Sequence, residues 1–231
     1  MRSKKVGGLV IAIDGPSGVG KTTVSGLVAK KLHLKYINTG SMYRALALAA
    51  SDAGLDLEDD EALKEFCSTV NLDYEAGSGR IFVNGREYTD GVRSQKAGEL
   101  ASIISTRKIV RDFLVECQRT LGDGGSVVME GRDIGTVVFP NADIKFFLDA
   151  SHEIRTRRRH HELAEAGKPA PAEVGSEIKE RDRRDMERSI SPLKMAGDAI
   201  RIDTTEIGIE EVVETILKEI DARLKRGDIG S

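Results

Sequence analysis

Lys21 and Thr22 close a glycine-rich run, Gly15-Pro16-Ser17-Gly18-Val19-Gly20-Lys21-Thr22, that fits G-x-x-x-x-G-K-[ST]. The chemistry such a run performs is phosphate binding. Glycines let successive backbone N–H groups converge on one concavity without Cβ clashes. Lys21 supplies a mobile cation for the β- and γ-phosphates of a nucleoside triphosphate. The Thr22 hydroxyl supplies a ligand for Mg²⁺, and Thr23 follows it in the same turn. The other reading, a glycine turn with a chance lysine, lacks the strand before and the helix after that this run possesses.

A second set of residues is cationic. Arg44 lies one turn into a predicted helix, and Arg132 follows a predicted strand, where open α/β sheets place ligands. Arg181, Asp185 and Arg188 are spaced i, i+4 and i+7, so they share one helix face. Arginine's planar fork suits phosphate oxygens, although such pairs on a helix are often only solvated ion pairs. Arg155, Arg157, Arg158 and Arg159 form a dense block. It reads either as a solvated basic face or as a lid that neutralises charge on a transferred group. Glu130 ends a strand and reads either as an acid orienting Mg²⁺-bound water or as an exposed loop carboxylate. His33, His152, His160 and His161 lack metal-ligand spacing.

The elements that must position these residues follow from periodicity. A strand over Leu9–Ile13 precedes the loop, and Lys21–Leu34 is a helix. Helices are expected over 41–53 and 58–70, the latter facing inward through Leu63 and Phe66. Between Asn71 and Thr89 the texture changes to short strands with an Asn84-Gly85 hairpin signal, and helical spacing resumes near Gln95. Helices over 109–121, 151–166, 173–188 and 209–224 alternate with strands at 126–129, 144–148 and 199–202. Gly167-Lys168-Pro169 is expected to end the helix over 151–166, with Ser151 or Asp149 as its N-cap. The tail from Lys225 is expected to fray. Alternating strands and helices imply a parallel sheet covered on both faces.

The 231 residues suit one large α/β domain. Hydrophobic residues make up 39%, charged residues 32%, and the net charge is −3, which argues against a nucleic-acid coat protein. The basic Met1–Lys5 segment precedes a short apolar run read as a core strand rather than a signal peptide. No apolar run is long enough for a membrane span. Cys67 and Cys117, distant in sequence, are read as packed thiols in a reducing cytoplasm.

Four segments together carry a resemblance that covers roughly Val10 to Leu224. They are Asp14-Gly-Pro-Ser-Gly-x-Gly-Lys, Asn38-Thr39-Gly40-x-x-Tyr43-Arg44, the run Gly131-Arg132-Asp133-Ile134-Gly135-Thr136-Val137-Val138-Phe139-Pro140, and Lys179-x-Arg181-Asp182-x-x-Asp185-x-x-Arg188. The chain resembles the bacterial cytidylate kinases, a nucleoside monophosphate kinase family. The resemblance implies a P-loop NTPase-type parallel sheet flanked by helices, with a small antiparallel β-containing insert that binds the monophosphate and a short Arg-rich helical lid. In these terms the core is about 1–61, 103–150 and 189–231, the insert about 62–102, and the lid with its following helix about 151–188.

It also implies transfer of the ATP γ-phosphoryl to CMP or dCMP, with ATP as co-substrate and Mg²⁺ as cofactor. Gly15 through Thr23 would hold ATP. Lys21, Arg132, Arg155, Arg158 and Arg159 would stabilise the transferred group. Arg44 and Arg132 would hold the acceptor phosphate, Arg181 and Asp185 would contact the ribose, Arg188 would support the phosphate or base network, and Thr39 would belong to the same substrate site. Ser102, Arg111 and Asp133 would read the base. Cytosine offers an amine that a carboxylate accepts, where uracil presents a carbonyl. Members commonly carry Asp where this chain has Asn38, which keeps the acceptor oxygen and gives up the charge. A cytoplasmic monomer acting on small molecules, with no nucleic-acid or membrane partner, is expected. A kinase of UMP, AMP, thymidylate or shikimate is the competing enzyme reading. A GTPase-like switch is the competing non-enzyme reading, and its N-K-x-D motif is missing from the sequence.

Overall fold

The computed structural model describes residues 8–165 and 171–229, with side-chain surroundings given outside 162–173. Met1–Lys5 and Gly167-Lys168-Pro169 lie outside the described residues. The chain divides into two compact units, residues 1–34 with 125–231, and residues 35–124.

The first unit is built on β1 (Val10–Asp14), β6 (Val127–Gly131), β7 (Ile144–Asp149) and β8 (Ile200–Asp203). The remaining strands are β2 (Lys35–Asn38), β3 (Leu72–Glu75), β4 (Arg80–Val83) and β5 (Arg86–Glu87). The larger sheet has the order β2-β6-β1-β7-β8. Its registers run parallel, with Asp14 opposite Gly131 and Phe147, and Asp149 opposite Asp203. All five residues of β6 are buried, so it reads as a continuous rather than alternating strand, as a sheet covered on both faces requires. The core beside it contains Ile11, Ile13, Met129, Phe146 and Leu9.

Around these strands lie α1 (Lys21–Leu32), α6 (His152–Glu165), α7 (Pro171–Glu187) and α8 (Ile209–Arg226). Helix α1 stops two residues earlier than its apolar pattern suggests. His33 takes a left-handed conformation (φ 57°) and its N–H reaches Ala29 and Lys30 carbonyls. Ser151, rather than Asp149, caps α6 by accepting from the Ile154 N–H at 3.4 Å. The expectation of a frayed tail from Lys225 is corrected. Helix α8 continues to Arg226, Gly227 (φ 80°) caps it, and Ile229 is buried beyond it.

The second unit holds α2 (Thr39–Asp52), α3 (Asp60–Thr69), α4 (Gln95–Ile104) and α5 (Lys108–Gly122) with the antiparallel sheet β3-β4-β5. Its strands alternate as the sequence does: Tyr74, Ile81 and Val83 point to the core, while Asp73, Glu75 and Arg80 face water. Asn84 (φ 50°) and Gly85 (φ 76°) are both left-handed, the signature of the two-residue type I′ turn that the dipeptide predicts. In α3 the inward residues are Leu63 and Cys67, with Phe66 only half-buried. Both cysteines are free thiols. Burial, with Cys117 nearby, raises the Cys67 thiol to about 11, so it carries little thiolate at neutral pH.

Candidate phosphoryl-transfer site

Strand β1 delivers the glycine loop at its carboxyl end, and α1 opens at Lys21. Gly15, Gly18 and Gly20 have φ of 150°, 78° and 88°. A Cβ on Gly15 would lie 2.1 Å from the Leu148 carbonyl oxygen, and one on Gly18 would lie 3.0 Å from that of Arg155. Both positions therefore need glycine for space as well as for backbone conformation. The Lys21 ammonium is buried and donates to the Pro16 carbonyl at 2.6 Å. Thr22 and Thr23 are exposed at the start of α1.

Burial, and after it the Arg132 guanidinium, pushes the Lys21 ammonium well below the usual lysine range. Arg181 acts in the same direction, against Glu130 and Asp14. The donor lysine and two predicted acceptor arginines thus share one electrostatic field. Glu130 pairs in register with Ile13 inside β6 and is 3% exposed, which removes its reading as an exposed loop carboxylate.

The Arg181, Asp185 and Arg188 face of α7 is not a solvated ion-pair face. Asp185 accepts from Arg132 Nε at 2.9 Å and lies 3.8 Å from Arg188, with all three side chains largely buried. Burial alone would raise the Asp185 carboxyl, but Arg132, Arg181 and Arg188 outweigh it and hold it below the usual range. The solvated pairs of α7 are others, Arg183 with Glu180 and Glu187.

The arginine block of α6 divides similarly. Arg155 is buried. It donates to the Ala150 and Ser17 carbonyls, each at 3.2 Å, and pairs with Asp182. Arg158 donates to the Thr204 hydroxyl at 2.9 Å and to the Thr204 carbonyl at 2.6 Å. Arg157 pairs with Glu153 in solvent, and Arg159 is half-buried. Thr204 in turn donates to the Val19 carbonyl at 3.3 Å. The loop after β8 is thereby tied to the glycine loop.

The other candidate residues lie in the second unit. Thr39 is buried at the start of α2. The Asn38 side chain caps that helix, accepting from the Ser41 N–H at 3.0 Å, and this cap starts α2 two residues before Ser41. The Asn38 N–H donates to the Tyr74 hydroxyl at 3.1 Å, joining the small sheet to this segment. Arg44 Nη1 lies 3.9 Å from where a Cβ on Gly40 would stand. Arg111 is buried on α5 with its guanidinium 5.5 Å from the centre of the Tyr43 ring, and it donates to the Ser105 carbonyl at 3.3 Å. Ser102 is buried on α4. A groove of about 910 Å³, lined by Tyr74, Phe82, Phe113 and Cys117 among others, contains none of the candidate residues.

Sequence reasoning assigned no role to Asp14, Asp182 or Tyr74, and offered the Thr204-Thr205-Glu206 loop only as a candidate for adenine contact. An acid directly before the glycine loop was visible for Asp14, but its partners were not. The others depend on partners too distant in sequence to be read from spacing.

The cytidylate kinase family model matches residues 11–222. A cytidylate kinase of Citrifermentans bemidjiense is 44% identical over the full length of both chains. One from Pseudomonas aeruginosa is 44% identical over 92% of this chain and 95% of its own, and one from Ligilactobacillus salivarius is 46% identical over 93% and 97%. Among solved structures, an uncharacterized protein from Eubacterium ventriosum superposes with a TM-score of 0.51 at 15% identity, covering 94% of this chain and 99% of that one, a likeness of fold alone. With the glycine loop, the Gly131–Pro140 run and the buried Arg/Asp face of α7 all in place, the chain belongs to the cytidylate kinase family.

Proposed function

We propose that this protein transfers the γ-phosphoryl group of ATP to CMP and dCMP, giving CDP and dCDP. One observation carries the reading furthest: the Lys21 ammonium is buried at the head of the glycine loop, with the Arg132 and Arg181 guanidiniums in the same field, and first that burial and then those cations hold it below the lysine range. A transferring phosphoryl group relieves that crowding, and stabilising its charge is the main work of such an enzyme. The Pro16 carbonyl that now holds Lys21 is a neutral acceptor, which a phosphate oxygen outcompetes.

In this reading Gly15 through Thr23 hold ATP, and Arg132 with Arg44 and Thr39 hold the acceptor phosphate. Arg181 and Asp185 position the ribose, and Arg188 steadies Asp185. Asp133, Ser102 and Arg111 read cytosine. Arg155, Arg158 and Arg159 belong to the lid, about 151–188, and the monophosphate-binding insert is about 62–102. The positive-φ glycines and the exposed Thr22 hydroxyl at the head of α1 fit a Mg²⁺–triphosphate. When bound, Mg²⁺ would be held by Thr22 and the phosphates and would neutralise their charge. No side chain need act as base, because the acceptor phosphate is already a nucleophile and positioning supplies most of the effect.

The protein is proposed to work as a cytoplasmic monomer on small molecules. Among the described residues no helix is long and apolar enough to cross a membrane. The deciding experiment is ADP release with ATP and a panel of acceptors. CMP and dCMP should lead. Equal or faster turnover of UMP, AMP or shikimate overturns the specificity.

A further inference from the structure

Asp14 is the last residue of β1, immediately before the glycine loop, and is 5% exposed. Its two carboxylate oxygens are spent on a segment 120 residues away. Oδ1 accepts the Ile134 N–H at 2.9 Å and Oδ2 the Gly135 N–H at 2.8 Å. These are the first two amides of a single π-type turn, Ile134–Val138. A turn of this kind is ordinarily capped by the side chain that precedes it, yet Asp133 makes no capping bond. The cap comes instead from another strand. Gly135 is the residue that permits it, since a Cβ there would lie 3.0 Å from Lys145 Cδ and 3.4 Å from Asp14 Oδ2. On the other side of Asp14, Gly15 is pinned against the Leu148 carbonyl. Arg132 and Asp133 are therefore fixed through their following amides to the base of the donor loop.

We propose that Asp14 is a positioning residue for the acceptor nucleotide, holding the backbone from which Arg132 and Asp133 project. The proposal rests on the acceptor roles given to those two residues above. Asp14 touches no substrate. It acts through Ile134 and Gly135.

Several groups bear on its charge. Burial raises the Asp14 carboxyl, the Gly135 and Ile134 amides oppose, Asp133 raises it further and Lys21 lowers it, leaving it at about 6. Lys145 flanks Gly135, with its ammonium committed to Pro140 and Asp198. Below about pH 6 a proton occupies one oxygen, and the two-amide cap is lost.

The test compares wild type with Asp14→Asn across pH 5 to 8. Asparagine keeps one acceptor oxygen and turns its NH₂ toward the other amide, donor against donor. The acceptor KM should rise about tenfold, the ATP KM should stay within about twofold, and the wild-type advantage in acceptor kcat/KM should shrink as pH falls through about 6, the acceptor phosphate's own titration cancelling in that ratio. A parallel rise in both KM values, an unchanged acceptor KM, or a wild-type to variant ratio of acceptor kcat/KM that stays constant from pH 8 to 5 overturns the proposal. The acceptor used is the nucleoside monophosphate that wild type turns over fastest, so loss of CMP preference would overturn the cytidylate reading and leave this comparison intact. If Asp14→Asn does not fold, the wild-type amide resonances of Ile134 and Gly135 decide. They should titrate together near pH 6, and flat profiles overturn the proposal.

Discussion

Asp185 shows how much one carboxylate controls. It is shared by Arg132 and Arg188, with Arg181 in the same field. Removing it leaves buried guanidiniums facing one another, a change that costs about 3–5 kcal/mol for a buried pair. Asp185→Asn keeps a hydrogen-bond acceptor and should cost about 2–3 kcal/mol in denaturant unfolding, with the CMP KM rising more than the ATP KM. The pH sense follows from its folded pKa lying below the ordinary 3.8. Its stabilisation is complete above the unfolded value and is lost as pH falls through the folded one. The stability gap between wild type and Asp185→Asn should therefore close below about pH 4. Asp133 is the proposed reader of the cytosine amine. Asp133→Ala should lower the ratio of CMP to UMP kcat/KM at least about tenfold while ATP affinity holds. A collapse of ATP affinity would remove the base-reading role.

Among the elements, α2 and α7 show what is and is not legible in sequence. The cap of α2 is local: Asn38 lies three residues before Ser41 and serves there without charge, although the sequence reading began the helix only at 41. Asn38→Asp should raise stability by about 0.3–1 kcal/mol, because an anion at that end meets the positive end of the helix dipole. Asn38→Ala should lower it by about 1 kcal/mol. Thermal unfolding of the pair checks both signs. Helix α7 is the opposite case. Arg181 with Asp185 and Arg183 with Glu187 have the same spacing, yet Asp185 is buried against Arg132 while Arg183 and Glu187 pair in solvent. The same limit hid Asp14, whose partners are 120 and 121 residues away. The hairpin at Asn84-Gly85 and the glycine loop were legible because backbone conformation, unlike burial, is a property of neighbouring residues.

For the whole molecule, the first unit joins both ends of the chain while the second is one continuous stretch. The strands that flank β1, namely β6 and β7, lie more than a hundred residues further along, so this sheet forms only after a large loop closes. Ligand that binds the folded state stabilises it by mass action. Mg²⁺–ATP at about a hundred times its Kd should add about 2.7 kcal/mol, read as a rise in Tm. Lys21→Ala should abolish most of that rise, while the unliganded Tm changes only through the lost bond to Pro16 and the lost charge beside Asp14 and Glu130. The alternation of strand and helix revealed the sheet from sequence alone. Its strand order was not readable there, because order is decided by which buried faces meet.

The Asn84-Gly85 turn also has a chemical lifetime. Asparagine followed by glycine is the dipeptide most prone to deamidation, since the glycine amide can attack the side-chain carbonyl and close a succinimide. Here the left-handed backbone at both residues and the bond from the Asn71 N–H to Asn84 Oδ1, 2.8 Å, hold the reacting atoms in a fixed hairpin. Ring closure then requires the turn to open. Ageing at this site therefore records opening of the small sheet. An acidic charge variant carrying isoaspartate at position 84 should accumulate much faster in the unfolded chain than in the native protein, and peptide mapping over weeks would measure the difference.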